Sequence, residues 1–171
     1  MKQSALLNDA IDRIVESAHD IAEGLSAADL AYRPGTGANG IGWLLWHLTR
    51  VQDDHIADAA GTEQVWTSAG WAERFGLPYG TEATGYGQDI DEVARFSALD
   101  PTLLTAYLDA VTARTKEYLD TLSDSDFDRI VDENWDPPVT LGARLISVIN
   151  DDTQHIGQAA YVRGLLEAHG S

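Results

Sequence analysis

Three polar side chains break apolar helical stripes in a pattern that suits a metal ion. Arg144, Val148, Asp151, His155, Gln158, Val162 and Leu165 recur at helical spacing, so polar groups occupy the middle of one stripe and apolar ones flank them. A carboxylate withdrawn from water in such a stripe needs a cation or a proton, because an unpaired buried charge is costly. His155 follows Asp151 by one helical step of four, about 6 Å along the axis and roughly 40° around it, so both side chains can grip one ion. His47 repeats the anomaly between Leu44 and Val51. One His and an Asp-x-x-x-His pair from facing helices give three nitrogen and oxygen donors and leave a coordination position open, which is the composition of a catalytic metal site. The same residues also admit a plainer arrangement, a hydrogen-bonded core histidine and a surface Asp and His pair, since spacing alone does not say which helix faces which.

The remaining polar candidates are weaker. His55 lies about 12 Å along the helix from His47 and ~80° around it, which makes it surface or pocket wall rather than a ligand to the same ion. His19 is off the best stripe of its helix and His169 is near the C-terminus. Gln158, one turn beyond His155, is a candidate hydrogen-bond partner for a substrate or cofactor. Arg50 and Arg163 are either anion anchors, with Arg50 the candidate for holding a cofactor, or solvated charges.

Composition narrows the chemistry. The 171 residues hold 28 Asp and Glu against 11 Lys and Arg, a net charge of −17, and no cysteine. A surface this acidic repels phosphate backbones and anionic lipid, which excludes nucleic acid and membranes as partners. Without cysteine there is no disulfide, thiolate nucleophile, zinc ribbon or iron–sulfur cluster, so any metal binds through His, Asp or Glu. The longest largely apolar run, Ile41 to Leu48, is far short of the ~20 residues that span a bilayer. Asp9 and Asp12 arrive before any signal-peptide core forms, so a cytoplasmic protein is expected. No GxSxG elbow, P-loop, GxGxxG or HExxH is present.

Four segments carry the period of an amphipathic helix, and no comparable stretch alternates as a strand would. The first runs through Leu7, Ile11, Ile14, Ala18, Ile21 and Leu25. The second spans about Gly40 to Ala60, with a stripe of Gly40, Leu44, His47, Val51, Asp54 and Asp58. The third opens at Asp100-Pro101, a capping carboxylate followed by a proline suited to the first helical position, and its stripe is Leu104, Leu108, Val111, Thr115, Tyr118 and Leu122. The fourth follows Pro137-Pro138 with Thr140 as its cap and reaches about Glu167. The expectation is an all-α fold, a four-helix bundle in one domain spanning residues 1–171, with a long crossover from Gly61 to Leu99 between helices two and three. That crossover includes a short helix from Asp89 to Phe96. With Trp66, Trp71, Phe75 and a Gly-rich stretch it either covers one end of the bundle or forms a hinged lid over a pocket.

GIGWLLWHLTRVQDDH, WAERFGLPYG and NWDPPVTLGARLISVINDDTQHIGQAAYVRGLL together resemble the DinB-like superfamily of metal-binding four-helix bundles. Within it they are most similar to the branch near mycothiol-dependent maleylpyruvate isomerase and the bacillithiol and mycothiol S-transferases. The resemblance implies a divalent metal, zinc first and nickel second, held by His47, Asp151 and His155. Many members carry His-x-x-x-His at the helix-four pair and the isomerase carries Glu-x-x-x-His; Asp151 is one methylene shorter than Glu. The isomerase also has a C-terminal domain for which this chain has no counterpart, so its reaction is not implied. The implied activity is transfer of a low-molecular-weight thiol of the mycothiol or bacillithiol type to a small-molecule electrophile, with the sulfur arriving on the cofactor rather than on a protein cysteine. A metal-assisted hydrolase using water and a non-catalytic metal-binding or dimerisation module are the rival readings, and a homodimer is the expected assembly.

Overall fold

The computed structural model describes residues 2–96 and 100–169. The last residues of the expected crossover, 97–99, and the side chain of His169 lie outside the described residues. Four long helices form the bundle: α1 (Gln3–Ala22), α3 (Ile41–Ala60), α7 (Pro101–Thr121) and α8 (Leu141–His169). Shorter helices punctuate the connections: α2 (Ala27–Ala31), α4 (Val65–Ser68), α5 (Trp71–Phe75) and α6 (Ile90–Ala94). Packing follows a ring in which α1 and α3 each contact both α7 and α8. The helix starts follow local chemistry. Asp100 accepts a hydrogen bond from the Thr102 N–H at 2.9 Å with Pro101 in the first turn, and Thr140 accepts one from the Ala143 N–H at 3.2 Å. α3 ends on Gly61 at φ 67°, a left-handed position that suits glycine.

The first-helix stripe is buried from Leu7 to Ile21, as its spacing predicts. α3 departs from its predicted stripe. Every residue from Ile41 to Arg50 is buried, and in the second half the core takes Gln52, Asp53, Ile56, Ala57 and Ala59 while Asp58 is exposed. The reason is that α3 is covered by α7, α8, α2 and the crossover together. A helix apolar all round is one enclosed on every side.

The crossover belongs to the core. Trp66, Trp71 and Phe75 are buried and pack with their ring centroids 5.2 to 5.6 Å from that of Tyr107 on α7. Opening this part as a lid would expose three rings, at roughly 4 kcal/mol each by buried area, so it covers the bundle end and does not hinge. Polar groups fasten it. Asp53 accepts from the Val65 and Trp66 backbone N–H groups at 2.8 and 2.7 Å and from the Tyr107 hydroxyl at 2.8 Å. Arg50 is fully buried beside it, donating to the Ala83 carbonyl, the Gln64 side chain and the Tyr107 hydroxyl.

One element escaped the pattern. β1 (Ile130–Asp132) and β2 (Val139–Thr140) pair antiparallel, Ile130 with Thr140 and Asp132 with Val139. Strands of three and two residues are too short to display a period of two. This hairpin precedes α8, and the 2.8 Å ion pair of Arg144 with Asp132 ties it down beside the helix.

Candidate metal centre

His47 on α3 and Asp151 and His155 on α8 meet across the most extensive helix contact in the bundle. Each offers a donor atom, and the three donors lie within 4.8 Å of one another. An ion about 2.0–2.2 Å from each donor keeps the donors no more than about 4.4 Å apart, so a contraction of a few tenths of an ångström closes the set. His47 is buried, while His155 and Asp151 are 16% and 35% exposed at their side chains. Two imidazoles and one carboxylate, with no thiolate, suit a divalent metal ion.

The rings are turned for the task. His47 Nδ1 lies 2.5 Å from the Thr84 carbonyl oxygen and His155 Nδ1 lies 2.9 Å from that of Asp151. A carbonyl only accepts, so each Nδ1 carries the proton and donates it, and each Nε2 is left with a free lone pair. Such a carbonyl partner fixes both tautomer and ring orientation. Trp43, one turn before His47, stacks on its ring at 4.6 Å and is held by a 2.9 Å bond from its indole N–H to Gln88. Burial pushes the His47 imidazole below the usual histidine range, against the smaller upward pull of the Thr84 hydrogen bond, so it is neutral and ready to coordinate at pH 7. The Asp151 Oδ2 atom is buried with no hydrogen-bond partner among the described residues, as a carboxylate oxygen awaiting a cation would be.

Two of the three, His47 and Asp151, line a cavity of about 470 Å³ together with Asp54, His55, Arg144 and Ser147. Trp135 from the hairpin and Tyr86 from the crossover also line it, and both are strongly exposed. These are the aromatic walls of the site; Trp66, Trp71 and Phe75 are committed to the core instead. His55 is pocket wall, 3.5 Å from Arg144, and lies outside the ligand group. Burial first, and then Arg144, lowers its pKa.

Three sequence expectations change here, those for Arg50, Gln158 and Arg163. Arg50 is neither a solvated charge nor a cofactor anchor, because its guanidinium is sealed under the crossover on protein acceptors. Gln158 is exposed and does not line the cavity, because the core-facing stripe of α8 is rotated from the predicted one and runs through Leu145, Val148, Asp152, Ile156, Ala159 and Val162. Asp151 and His155 therefore sit at the edge of that face, and Asp152 is the carboxylate at its centre. Burial, with Asp151 beside it, pushes Asp152 well above the usual carboxylate range. Arg163 bonds the Ile21 carbonyl at the end of α1 and pairs with Glu167, so it ties helices together. His19 makes a 2.8 Å surface pair with Asp109.

The family model for the DinB superfamily matches residues 10–159. The chain belongs to the DinB superfamily. The crystal structure of a conserved protein from Enterococcus faecalis is similar over 98% of this chain and 99% of that one, with a TM-score of 0.92 and 32% identity. No curated protein matches the sequence. In this DinB-superfamily protein, no helix among the described residues is long and apolar enough to cross a membrane.

Gly85 is a site residue that sequence reasoning missed. Its φ is +94°, and an added Cβ would fall 2.6 Å from His47 Nδ1 and 2.9 Å from the Trp43 ring. Glycine here lets the neighbouring Thr84 carbonyl reach the imidazole. Gly85→Ala is expected to push that carbonyl away and weaken metal binding roughly 10- to 100-fold, the range for loss of a partner that orients a ligand. A metal titration of the variant checks this, with unchanged affinity as the contrary result.

Proposed function

We propose that this protein is a divalent-metal-dependent transferase that joins a low-molecular-weight thiol, of the mycothiol or bacillithiol type, to a small electrophile. The observation that carries the reading is a three-donor nitrogen and oxygen set, two of whose members, His47 and Asp151, line a cavity of about 470 Å³ in a chain without cysteine. When bound, a zinc or nickel ion supplies the Lewis acidity that lowers a thiol's pKa, so that a sulfur nucleophile exists at neutral pH. The chain's own residues do the rest. His47, Asp151 and His155 hold the ion, with the Thr84 and Asp151 carbonyls keeping both rings in the coordinating tautomer. Arg144, Asp54, His55 and Ser147 present hydrogen-bonding groups suited to the hydroxyls of a sugar-type thiol, while Trp135 and Tyr86 offer aromatic faces to its carbon skeleton or to a conjugated electrophile. The site lies within an acidic protein that repels polyanions, which favours small ligands over nucleic acid. The test is thiol disappearance in the presence of a model electrophile, compared between metal-loaded and chelated protein.

A further inference from the structure

The cavity beside the metal centre has a second wall whose chemistry the metal does not use. His55 lies about two turns beyond His47 on α3 and lines the same cavity with Asp54, Arg144 and Ser147. Arg144 has the charge to anchor an anionic ligand, yet its guanidinium is already engaged. Nη2 donates to the Asp132 carboxylate at 2.8 Å, and Nη1 donates to His55 Nδ1 at 3.5 Å. The side chains of Arg144 and Asp132 are both largely withdrawn from water, so this ion pair is a fixed part of the wall.

The contact with Arg144 decides which nitrogen of His55 carries the proton. A guanidinium only donates, so Nδ1 accepts and the proton of the neutral ring stands on Nε2. Asp54 does not compete for Nδ1: its Oδ2 is 3.9 Å away, beyond hydrogen-bond distance, and its Oδ1 accepts from the Gln64 amide at 2.7 Å. The arrangement is the reverse of that at His47 and His155, whose Nδ1 atoms donate to carbonyls. His55 Nε2 has no hydrogen-bond partner among the described residues and is not one of the buried unpartnered atoms, so its N–H is open to a ligand.

The same wall offers acceptors. Asp54 Oδ2 is free of hydrogen bonds, and Ser147 gives its own proton to the Arg144 carbonyl at 2.8 Å, which leaves its oxygen lone pairs to accept. One fixed donor beside a carboxylate and a hydroxyl oxygen matches the neighbouring hydroxyls of a sugar or cyclitol, each of which both donates and accepts. Charge points the same way. The Asp54, Asp58 and Asp151 carboxylates all lie close enough to act on the His55 ring, against the one cation Arg144, which Asp132 already balances. An anionic group brought to this wall meets like charge. We propose that Arg144, held by Asp132, fixes His55 as an Nε2–H donor, and that Asp54, His55 and Ser147 form a specificity subsite for an uncharged polyhydroxylated group. Arg144 is then a positioning residue. The inference rests on the thiol reading of the same cavity and narrows it, since the carrier of the sulfur is a neutral sugar or cyclitol rather than one bearing carboxylates.

Methyl glucoside and methyl glucuronide, which differ by one carboxylate, test this on the zinc-loaded protein with no thiol present. Imidazole nitrogen NMR should show His55 protonated on Nε2 and not on Nδ1, with signals that move as the glucoside is added. The glucuronide should bind there about fivefold or more weakly. Asp54→Asn should close that gap between the two probes, which a merely structural role for Asp54 would not do. His55→Phe keeps a ring but loses the donor, and should weaken the glucoside roughly three- to tenfold. A His55 ring protonated on Nδ1, a glucuronide that binds as tightly as the glucoside, or His55 signals that respond to neither probe would overturn the proposal. Because neither probe carries sulfur, these outcomes leave the transferase reading standing, and a failure of thiol transfer leaves the sugar result intact.

Discussion

His47→Ala and His155→Ala are each expected to weaken divalent-metal binding by roughly 10³-fold or more, beyond the 10- to 100-fold typical of an outer-shell partner. Each removes one of the three donors grouped among the described residues, and the remaining two cannot enclose an ion against water. His55→Ala should bind metal as the wild type does, because His55 lines the cavity without joining the donor group. Metal content after exhaustive dialysis separates the three variants. Acid acts on the same donors. Both imidazoles must be neutral to coordinate, so metal is lost as pH falls below roughly 5 to 6, and a flat profile to about pH 4 contradicts histidine coordination. The metal-free protein has a related pH dependence. His47 and His55 have folded pKa values lowered from 6.5, so the unfolded chain takes up protons first. Their contribution to stability is full above about 6.5 and disappears as pH falls through the folded values.

Chelation of the loaded protein is expected to abolish catalysed thiol consumption while leaving the helical circular dichroism unchanged. A free thiol of pKa about 8.5 is only a few per cent ionised at pH 7, so a site that ionises it fully gains at least tenfold in nucleophile before any gain from positioning. His155→Ala should reproduce the loss. The fold survives because the bundle rests on two apolar clusters, one around Trp46, Trp66 and Tyr107 and one around Leu7, Ile56, Leu119 and Leu141. Equal rates with and without metal across several thiols would defeat the transferase reading. Turnover that needs metal but no thiol would favour a hydrolase on the same ligands.

Features with local causes were legible in the sequence. The four long helices follow from 3.6-residue periodicity, and the starts at Asp100 and Thr140 from side chains that cap N–H groups two or three residues on. His47, Asp151 and His155 stood out because each interrupts apolar surroundings. Two adjacent aspartates then blurred the register of α8. A stripe through Asp151 and His155 and one through Asp152 and Ile156 both look helical, and only the packing of α8 on α3 decides between them. Arg50 was misplaced for a related reason. Apart from His47, Ile41 to Leu48 is apolar on every side, a signal of complete enclosure, and a polar residue continuing such a segment is enclosed with it. Thr84, Gly85, Tyr86 and Trp135 carried no comparable signal. They reach the site from a long crossover and a short hairpin, and tertiary folding alone brings residue 84 to residue 47.

X-ray absorption at the metal edge of the zinc-loaded protein, before and after addition of a thiol, tests the central claim most directly. The claim is that His47, Asp151 and His155 hold the ion while one position faces the cavity. The predicted result is a first shell of nitrogen and oxygen only, at about 2.0–2.2 Å with two imidazoles, that gains one sulfur near 2.3 Å when the thiol is added. Because the chain has no cysteine, any sulfur seen in this experiment belongs to the added thiol. A shell without imidazole, or one that takes up no sulfur at saturating thiol, would contradict the account.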